Sequence, residues 1–273
     1  MRKIILAFDG NHFSEGTFEF ARRLNEIEPV LLTGVFLPQA ELSDFWSYAN
    51  GVGGPFLPII ESSESKLVQQ NIDRFEKLCR GNGIDYRVHK DFFDFALPEL
   101  KKESRFADLL ILGSEMFYEN IGSDSPNDYL RDALYSVKCP LLLVPEKFDF
   151  PESIILAYDG SENSIFAIKQ FAYLFPELSN RQTLLVYAND DADEDFPDKI
   201  QIEELAARHF SNLTLFKLDV NPRRYFSTWI LDKKSALLVS GSYGRSGLSQ
   251  LFNKSFIKEV IADHRLPVFI AHK

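Results

Sequence analysis

The stretch IILAFDG at residues 4–10 returns 150 positions later as IILAYDG at residues 154–160. Two further pairs of segments recur in the same order: ADLLILGS at 107–114 with SALLVSGS at 235–242, and KCPLLLV at 138–144 with RLPVFIA at 265–271. Three repeated blocks in one order indicate two copies of a single fold, fused in tandem.

Each copy alternates short apolar runs with helical periodicity. Residues 4–8 form an uninterrupted apolar run, which is typical of a parallel strand buried on both faces. Repeated strand–helix alternation predicts right-handed crossovers, so the expected fold class is α/β with a five-stranded, parallel, doubly wound sheet in each copy. A proline-bracketed segment at 145–151 separates the copies. We therefore predict domain 1 at residues 1–146 and domain 2 at residues 151–273.

Composition narrows the function classes. The 273-residue chain has a net charge of −10, which argues against non-specific binding to nucleic acid or to an anionic membrane. The imbalance lies in the first 150 residues, where 24 acidic residues face 16 Lys and Arg. No apolar run approaches the roughly 18 residues of a membrane helix. The two cysteines form no disulfide framework or metal set, so the chain is predicted to be cytoplasmic.

Domain 1 carries an insertion at residues 38–62 that domain 2 lacks. The insertion contains Phe45, Trp46 and Phe56, and a connection of this length is unusual without a function of its own. We expect these aromatic residues to pack over the crevice of domain 1 or across the domain interface. A purely structural flap is the alternative.

The segment GSYGRSGLSQLFNKS at residues 241–255 is the strongest local signal. It follows a buried strand and precedes a helical pattern. Glycines there allow a tight turn and a close approach of the backbone to a ligand, while free amides and the helix dipole favour an anion. Arg245 and Lys254 add positive charge. The segment indicates a phosphate site or, alternatively, a glycine-rich turn that only joins strand to helix.

This segment resembles the loop of the universal stress protein family, whose nucleotide-binding members carry G-x2-G-x9-G-[ST] between the fourth strand and the fourth helix. Gly241 and Gly244 match the first two glycines, and Ser255 matches the final Ser/Thr. Lys254 stands where the family pattern has its third glycine. Asp159 matches the aspartate that contacts the nucleoside. The resemblance covers both copies and implies two flavodoxin-like, adenine-nucleotide-hydrolase-like domains.

Domain 1 departs further from the family pattern. Asp9 matches the nucleoside aspartate, but only Gly113 survives from the loop motif. The next helix is expected to start with a cap-like sequence at residues 125–128, with Pro126 in its first turn. That cap would satisfy its own amides, and Asp124 and Asp128 would repel phosphate. The resemblance therefore implies no triphosphate site in domain 1.

The resulting hypothesis is a stress-response binding or regulatory module with an ATP or other adenine-nucleotide site in domain 2. The candidate cofactor-binding residues share one loop and one strand end: Asp159, Gly241, Gly244, Arg245, Lys254 and Ser255. Lys254 either blocks the loop or holds a phosphate. The missing glycine favours weak or absent ATP binding.

Two other functions remain open. One is a nucleotide-free adaptor or scaffold. The other is a slow ATP hydrolase or phosphotransferase, which normally needs a metal-holding carboxylate and a group that positions the nucleophile. We identify no such constellation and no metal-ligand spacing among the five histidines. The chain is therefore not expected to be an enzyme or to carry a metal.

Family members dimerise through their last strands, which here correspond to residues 141–144 and 268–271. An apolar sheet edge needs a cover. The resemblance therefore implies that these strands meet across an internal pseudo-twofold axis, which makes the chain the equivalent of a dimer. A further homodimer and an unidentified protein partner are also possible on this interpretation.

Overall fold

The fold follows the predicted strand–helix order in both halves. The computed structural model describes residues 1–38, 62–90, 96–120, 126–189, 195–219, 226, 228–230, 232–241 and 259–273. The first half contains β1 (Arg2–Phe8), α1 (Glu15–Ile27), β2 (Val30–Phe36), α2 (Ser62–Gly81), β3 (Asp85–Lys90), α3 (Ala96–Ser104), β4 (Leu109–Gly113), α4 (Asp128–Ser136) and β5 (Leu141–Val144). The second half contains β6 (Ser153–Ala157), α5 (Glu162–Leu174), β7 (Gln182–Asn189), α6 (Lys199–His209), β8 (Asn212–Asp219), β9 (Ala236–Ser240) and β10 (Val268–Ile270).

All ten strands form one continuous sheet in the order β3-β2-β1-β4-β5-β10-β9-β6-β7-β8. Strands within each half pair in parallel, as predicted, whereas β5 and β10 pair antiparallel, with Leu142 opposite Phe269. The prediction that the two last strands meet is confirmed. The two expected five-stranded sheets are therefore joined edge to edge, and the apolar edges are covered by each other.

The hydrophobic core continues across the junction on both faces of the sheet. Leu142 and Phe269 belong to the cluster on one face, together with β1 and β6 residues of both halves. Leu143 and Val268 belong to the cluster on the other face. Because side chains alternate along a strand, the same short β5–β10 pair contributes to both clusters.

A buried arginine adds a second link between the halves. Arg2 begins β1, and its guanidinium contacts Glu177 at 2.6 Å and Glu28 at 2.9 Å. It also donates to the carbonyl of Leu174 and lies 5.6 Å from the ring centre of Phe175. The Arg2 side chain is only 12% exposed, so loss of one partner would leave a buried charge incompletely paired.

The helix after β4 starts within the predicted segment 125–128, but Pro126 precedes the cap instead of lying in the first turn. The cap is Asn127, not a residue before Pro126, and α4 begins at Asp128. The Asn127 side chain accepts from the Leu130 amide at 2.8 Å and donates to the carbonyl of Tyr118 at 2.8 Å. These tertiary hydrogen bonds select Asn127, an effective capping residue, over the proline-based start.

Several sequence predictions fall outside the described residues. They concern the packing of Phe45, Trp46 and Phe56 in the insertion, the charge of Asp124, and the loop that follows Gly241. These stay predictions.

Candidate functional site

The loops that follow β1 and β6 occupy equivalent places at the carboxyl ends of parallel strands, where ligands of open α/β sheets bind. β1 is followed by Asp9 and Gly10, and β6 by Tyr158, Asp159 and Gly160. Gly10 and Gly160 have φ of 93° and 77°, a conformation that favours glycine. The Asp-Gly sequence that the two repeats share therefore forms the same turn, with one aspartate in each half.

In the first half this aspartate is fully engaged by its own chain. Asp9 is 4% exposed. One carboxylate oxygen accepts from the amides of Asn11 at 3.0 Å and His12 at 2.8 Å. The other oxygen contacts the His12 Nδ1 at 2.7 Å and accepts from the Tyr118 amide at 3.0 Å. Four internal contacts leave Asp9 buried and satisfied, with little capacity to accept from a ligand.

Tyr118 covers this corner. It comes from the segment after β4 and has a φ of 54°, which is unusual for a side chain of its size. Its hydroxyl donates to the carbonyl of Leu37 at 2.6 Å, and its ring stacks on Tyr129 with centres 4.1 Å apart. Burial raises the pKa of Tyr118. The residue therefore lies as a neutral phenol between the ends of β1, β2 and β4.

His12 links Asp9 to a second acidic group, Glu119. Its Nε2 lies 3.2 Å from a carboxylate oxygen of Glu119, opposite the contact with Asp9. Burial alone would lower the pKa of His12, but the hydrogen bond and charge of Asp9, assisted by Glu119, raise it above its usual value. The imidazole thus ties the loop after β1 to the loop after β4 and holds a proton more readily than a free histidine does.

A carboxylate also occupies the start of α1. Glu146, two residues after β5, accepts from the Glu15 amide at 3.0 Å and from the Gly16 amide at 3.4 Å. It contacts the hydroxyl of Ser14, the cap of this helix. Helix starts attract anions through exposed amides and the helix dipole. In the first half the chain supplies that anion itself.

The equivalent aspartate of the second half is less engaged. Asp159 is half-buried, and within the described residues it accepts one hydrogen bond, from the Ser161 amide at 3.0 Å. Ser161 caps α5 by accepting from the Ser164 amide at 3.2 Å. A carboxylate with one oxygen lacking a described partner can accept hydrogen bonds from a ligand.

Gly241 follows β9, which lies beside β6, and is therefore at the same edge of the sheet as Asp159. A Cβ added to Gly241 would lie 2.2 Å from the Ser164 amide nitrogen and 2.5 Å from the Asn163 carbonyl oxygen. Only glycine allows this close approach of β9 to the first turn of α5. The structure therefore places two predicted site residues, Asp159 and Gly241, at one sheet edge. Gly244, Arg245, Lys254 and Ser255 lie outside the described residues.

The charge at the helix start is reversed between the halves. The repeat that ends in Val144 and Ala271 places Lys273 at the position equivalent to Glu146. Lys273 donates its amide to the Asn163 side chain at 3.5 Å, and its ammonium lies 3.7 Å from Glu162. A cation near the start of α5 replaces the carboxylate that occupies the start of α1.

Three residues that shape the first crevice escaped sequence reasoning. His12 carried no metal-ligand spacing, Tyr118 stands in a segment that lacks the loop motif, and Glu146 lies where a linker was expected. Each of the three contacts a residue more than 100 positions away. His12 contacts the carboxylate of Glu119, Tyr118 that of Asp9, and Glu146 the hydroxyl of Ser14. The sequence offered one signal: Glu146 and Lys273, which follow the last strands of the two halves, carry opposite charges.

No group of three or more His, Cys, Asp and Glu side chains suited to a metal occurs among the described residues. Within the same part of the chain, every helix is too short or too polar to cross a lipid bilayer.

No protein-family model and no curated protein matches the sequence. Solved structures do match the fold across the whole chain. A universal stress protein from Archaeoglobus fulgidus DSM 4304 matches with a TM-score of 0.69 at 15% identity, over 100% of this chain and 96% of that protein.

Two proteins from Pseudomonas aeruginosa match less closely, each over 100% of this chain. A functionally unknown protein of strain PAO1 has a TM-score of 0.56 at 11% identity over 92% of its length. A provisional universal stress protein of strain UCBPP-PA14 has a TM-score of 0.52 at 13% identity over 93% of its length. The chain therefore has the fold of universal stress protein structures.

Proposed function

We propose that this chain is a tandem universal stress protein that binds one adenine nucleotide, such as ATP, in the crevice of its second half. The residues assigned to the nucleotide are those of the loop and strand end: Asp159, Gly241, Gly244, Arg245, Lys254 and Ser255. The first half then serves as a closed partner that shares the sheet and the core.

One observation carries this proposal: the two equivalent aspartates have different environments. Asp9 has four contacts inside the chain and is almost fully buried. Asp159 accepts one described hydrogen bond and is half-buried. A nucleoside hydroxyl or amine needs a free acceptor. Of the two equivalent aspartates, only Asp159 has a carboxylate oxygen without a partner among the described residues.

The remaining residue types suit the phosphates. Gly241 already allows the backbone to approach the start of α5, where amides attract anions. Arg245 offers a planar fork for phosphate oxygens, and Lys254 offers a point charge. Ser255 adds a hydroxyl donor. Binding is expected to be weak, because Lys254 stands where the family places a glycine beside the phosphates.

Calorimetric titration with ATP tests the assignment. Asp159→Ala should weaken binding by about 1–3 kcal/mol, the usual size of a hydrogen bond to a charged group. Asp9→Asn is the matched control and should leave the affinity unchanged. Lys254→Gly separates the two interpretations of that position: affinity rises if the lysine blocks the loop, and falls if it holds a phosphate. No ATP binding by wild type or by Lys254→Gly would contradict the proposal.

We further propose that the protein acts as a binding or regulatory module of the cytoplasmic stress response and not as a catalyst. Hydrolysis of added ATP by the purified protein, lost in Asp159→Ala, would instead support a slow hydrolase or phosphotransferase. A chain that binds no nucleotide but retains a protein partner would support the adaptor. The internal pairing of β5 with β10 already covers the edges that family members use to dimerise, so a further homodimer would need another surface.

A further inference from the structure

A basic cavity of about 470 Å³ lies at the opposite end of the second-half strands from Asp159 and Gly241. Its charged lining residues are Lys147, Asp149, Lys233, Lys234 and Arg265, and His264 adds an imidazole whose pKa is lowered by burial. The cavity also contacts Ala236, which begins β9, and Pro267, which precedes β10. It therefore lies where these strands begin, whereas Asp159 and Gly241 follow strand ends.

The antiparallel β5–β10 pair builds this cavity. Because β5 runs against β10, the chain that leaves β5 passes over the amino-terminal ends of β10 and β9. Residues 147–149 thus form one wall, and the turns before β9 and β10 form the others. Ser235 and His264 both have φ of 50° in these turns. Two left-handed non-glycine residues at one cavity indicate turns held in place by the surrounding structure.

The charges around the cavity are mostly positive, although the whole chain is acidic. Four Lys and Arg side chains face one lining carboxylate, Asp149, which accepts from the Ser235 hydroxyl at 3.5 Å. Arg265 contacts Asp263 at 2.7 Å, and the Lys233 ammonium lies 4.5 Å from the Trp229 ring centre. Lys147 and Lys234 are exposed and form no ion pair with another described residue.

Among the described residues of the first half, the equivalent positions carry fewer cations. The repeat places Arg105 and Phe106 at the positions of Lys233 and Lys234, and Lys138 at that of Arg265. Asp108 lies next to them and accepts from the Lys3 amide at 2.8 Å. The concentration of positive charge is therefore a property of the second half and its linker, and Arg105 with Lys138 provides a matched control.

We infer that this cavity binds a small anion that carries more than one phosphate. Its volume of about 470 Å³ lies within the roughly 300–1,000 Å³ of small-molecule pockets. Cations on three separate segments suit several phosphate groups better than one. Half-buried Phe148 and buried Leu266 supply apolar lining for an organic portion of the ligand.

This site is independent of the proposed nucleotide site, and the two can be tested separately. The probe is inorganic tripolyphosphate, titrated calorimetrically into the full chain at low ionic strength, where screening is least. Wild type should bind one tripolyphosphate. Lys147→Ser/Lys234→Ser should weaken the affinity at least about tenfold, since each lysine supplies a charge-assisted contact.

Arg105→Ser/Lys138→Ser removes the same charge from the equivalent surface of the first half, and should change the affinity less than about twofold at this salt concentration. Equal weakening by both double variants would show attraction by general charge and would overturn the inference. So would the absence of binding by wild type, or loss of binding only in Arg245→Ser/Lys254→Ser. Parallel titration with ATP shows whether the organic portion adds affinity.

Discussion

The crevices after β1 and β6 share a sequence, a strand position and a turn, yet the described residues close the first and make fewer contacts with the aspartate of the second. In the first half, Asp9 is enclosed by His12 and Tyr118, and Glu146 occupies the helix start. In the second half, Asp159 accepts one described hydrogen bond, and Lys273 replaces the carboxylate. A repeated motif therefore preserves the fold, while its neighbours decide whether a ligand can use it.

The close approach of β9 to α5 provides the largest expected difference between the halves. Gly241→Ala places a Cβ 2.2 Å from the backbone of Ser164, whereas Gly113→Ala meets the Ser14 hydroxyl at 2.9 Å. A side chain can move aside more easily than backbone. We expect Gly241→Ala to lower the free energy of unfolding by about 3 kcal/mol or more and Gly113→Ala by about 1–2 kcal/mol. If urea denaturation shows equal losses of unfolding free energy for the two variants, the inference that β9 approaches α5 more closely than β4 approaches α1 is contradicted.

Replacing each of the two aspartates by alanine tests how much its hydrogen bonds stabilise the fold. Asp9→Ala leaves the amides of His12 and Tyr118 without their acceptor in a buried corner. We expect it to lower the free energy of unfolding by about 2–4 kcal/mol. Asp159→Ala should cost less than about 1 kcal/mol, because Asp159 is half-buried and accepts one hydrogen bond from the described residues. If chemical denaturation shows a larger loss of unfolding free energy for Asp159→Ala than for Asp9→Ala, the comparison is contradicted.

The carboxylate at the start of α1 should stabilise the first half. Glu146→Lys introduces the charge that the second half carries at this position and removes acceptors from the amides of Glu15 and Gly16. We expect the free energy of unfolding to fall by about 1–2 kcal/mol. Lys273→Ala is the control and should alter it by less than about 0.5 kcal/mol. No loss in Glu146→Lys would show that the helix start needs no internal anion.

The smallest effect is a pH dependence confined to the first crevice. The folded-state pKa of His12 is raised, so its contribution to stability is fully present below the unfolded pKa of about 6.5. That contribution is lost as the pH rises through the higher folded-state pKa. The difference in unfolding free energy between wild type and His12→Ala should therefore shrink from about pH 6 to pH 9. In an Asp9→Asn background the difference should vary little, and an unchanged pH dependence there would exclude Asp9 as the cause.

The sequence predicts the fold well because its strongest signals are local or repeated. The apolar runs of β1 and β6 are buried on both faces, and such strands leave a pattern that periodicity detects. Ser14 caps α1, as expected for a serine that directly precedes a helical pattern. The pairing of β5 with β10 followed from the family resemblance and from the need to cover two apolar edges.

The closure of the first crevice could not be predicted in the same way. Tyr118 reaches Asp9 across 109 positions, and Glu146 reaches Ser14 across 132. Such contacts depend on the assembled fold and leave no periodic pattern. The cap of α4 follows Pro126 instead of preceding it for the same reason, because Asn127 is held by the carbonyl groups of Phe117 and Tyr118. The domain boundaries and the loop residues from Gly244 to Ser255 stay predictions.

The number of ATP molecules bound by each chain tests the difference between the crevices most directly. Native mass spectrometry across an ATP titration should show a single bound nucleotide that is lost in Asp159→Ala and retained in Asp9→Asn. Two nucleotides per chain, or one that is lost in Asp9→Asn and retained in Asp159→Ala, would contradict the account.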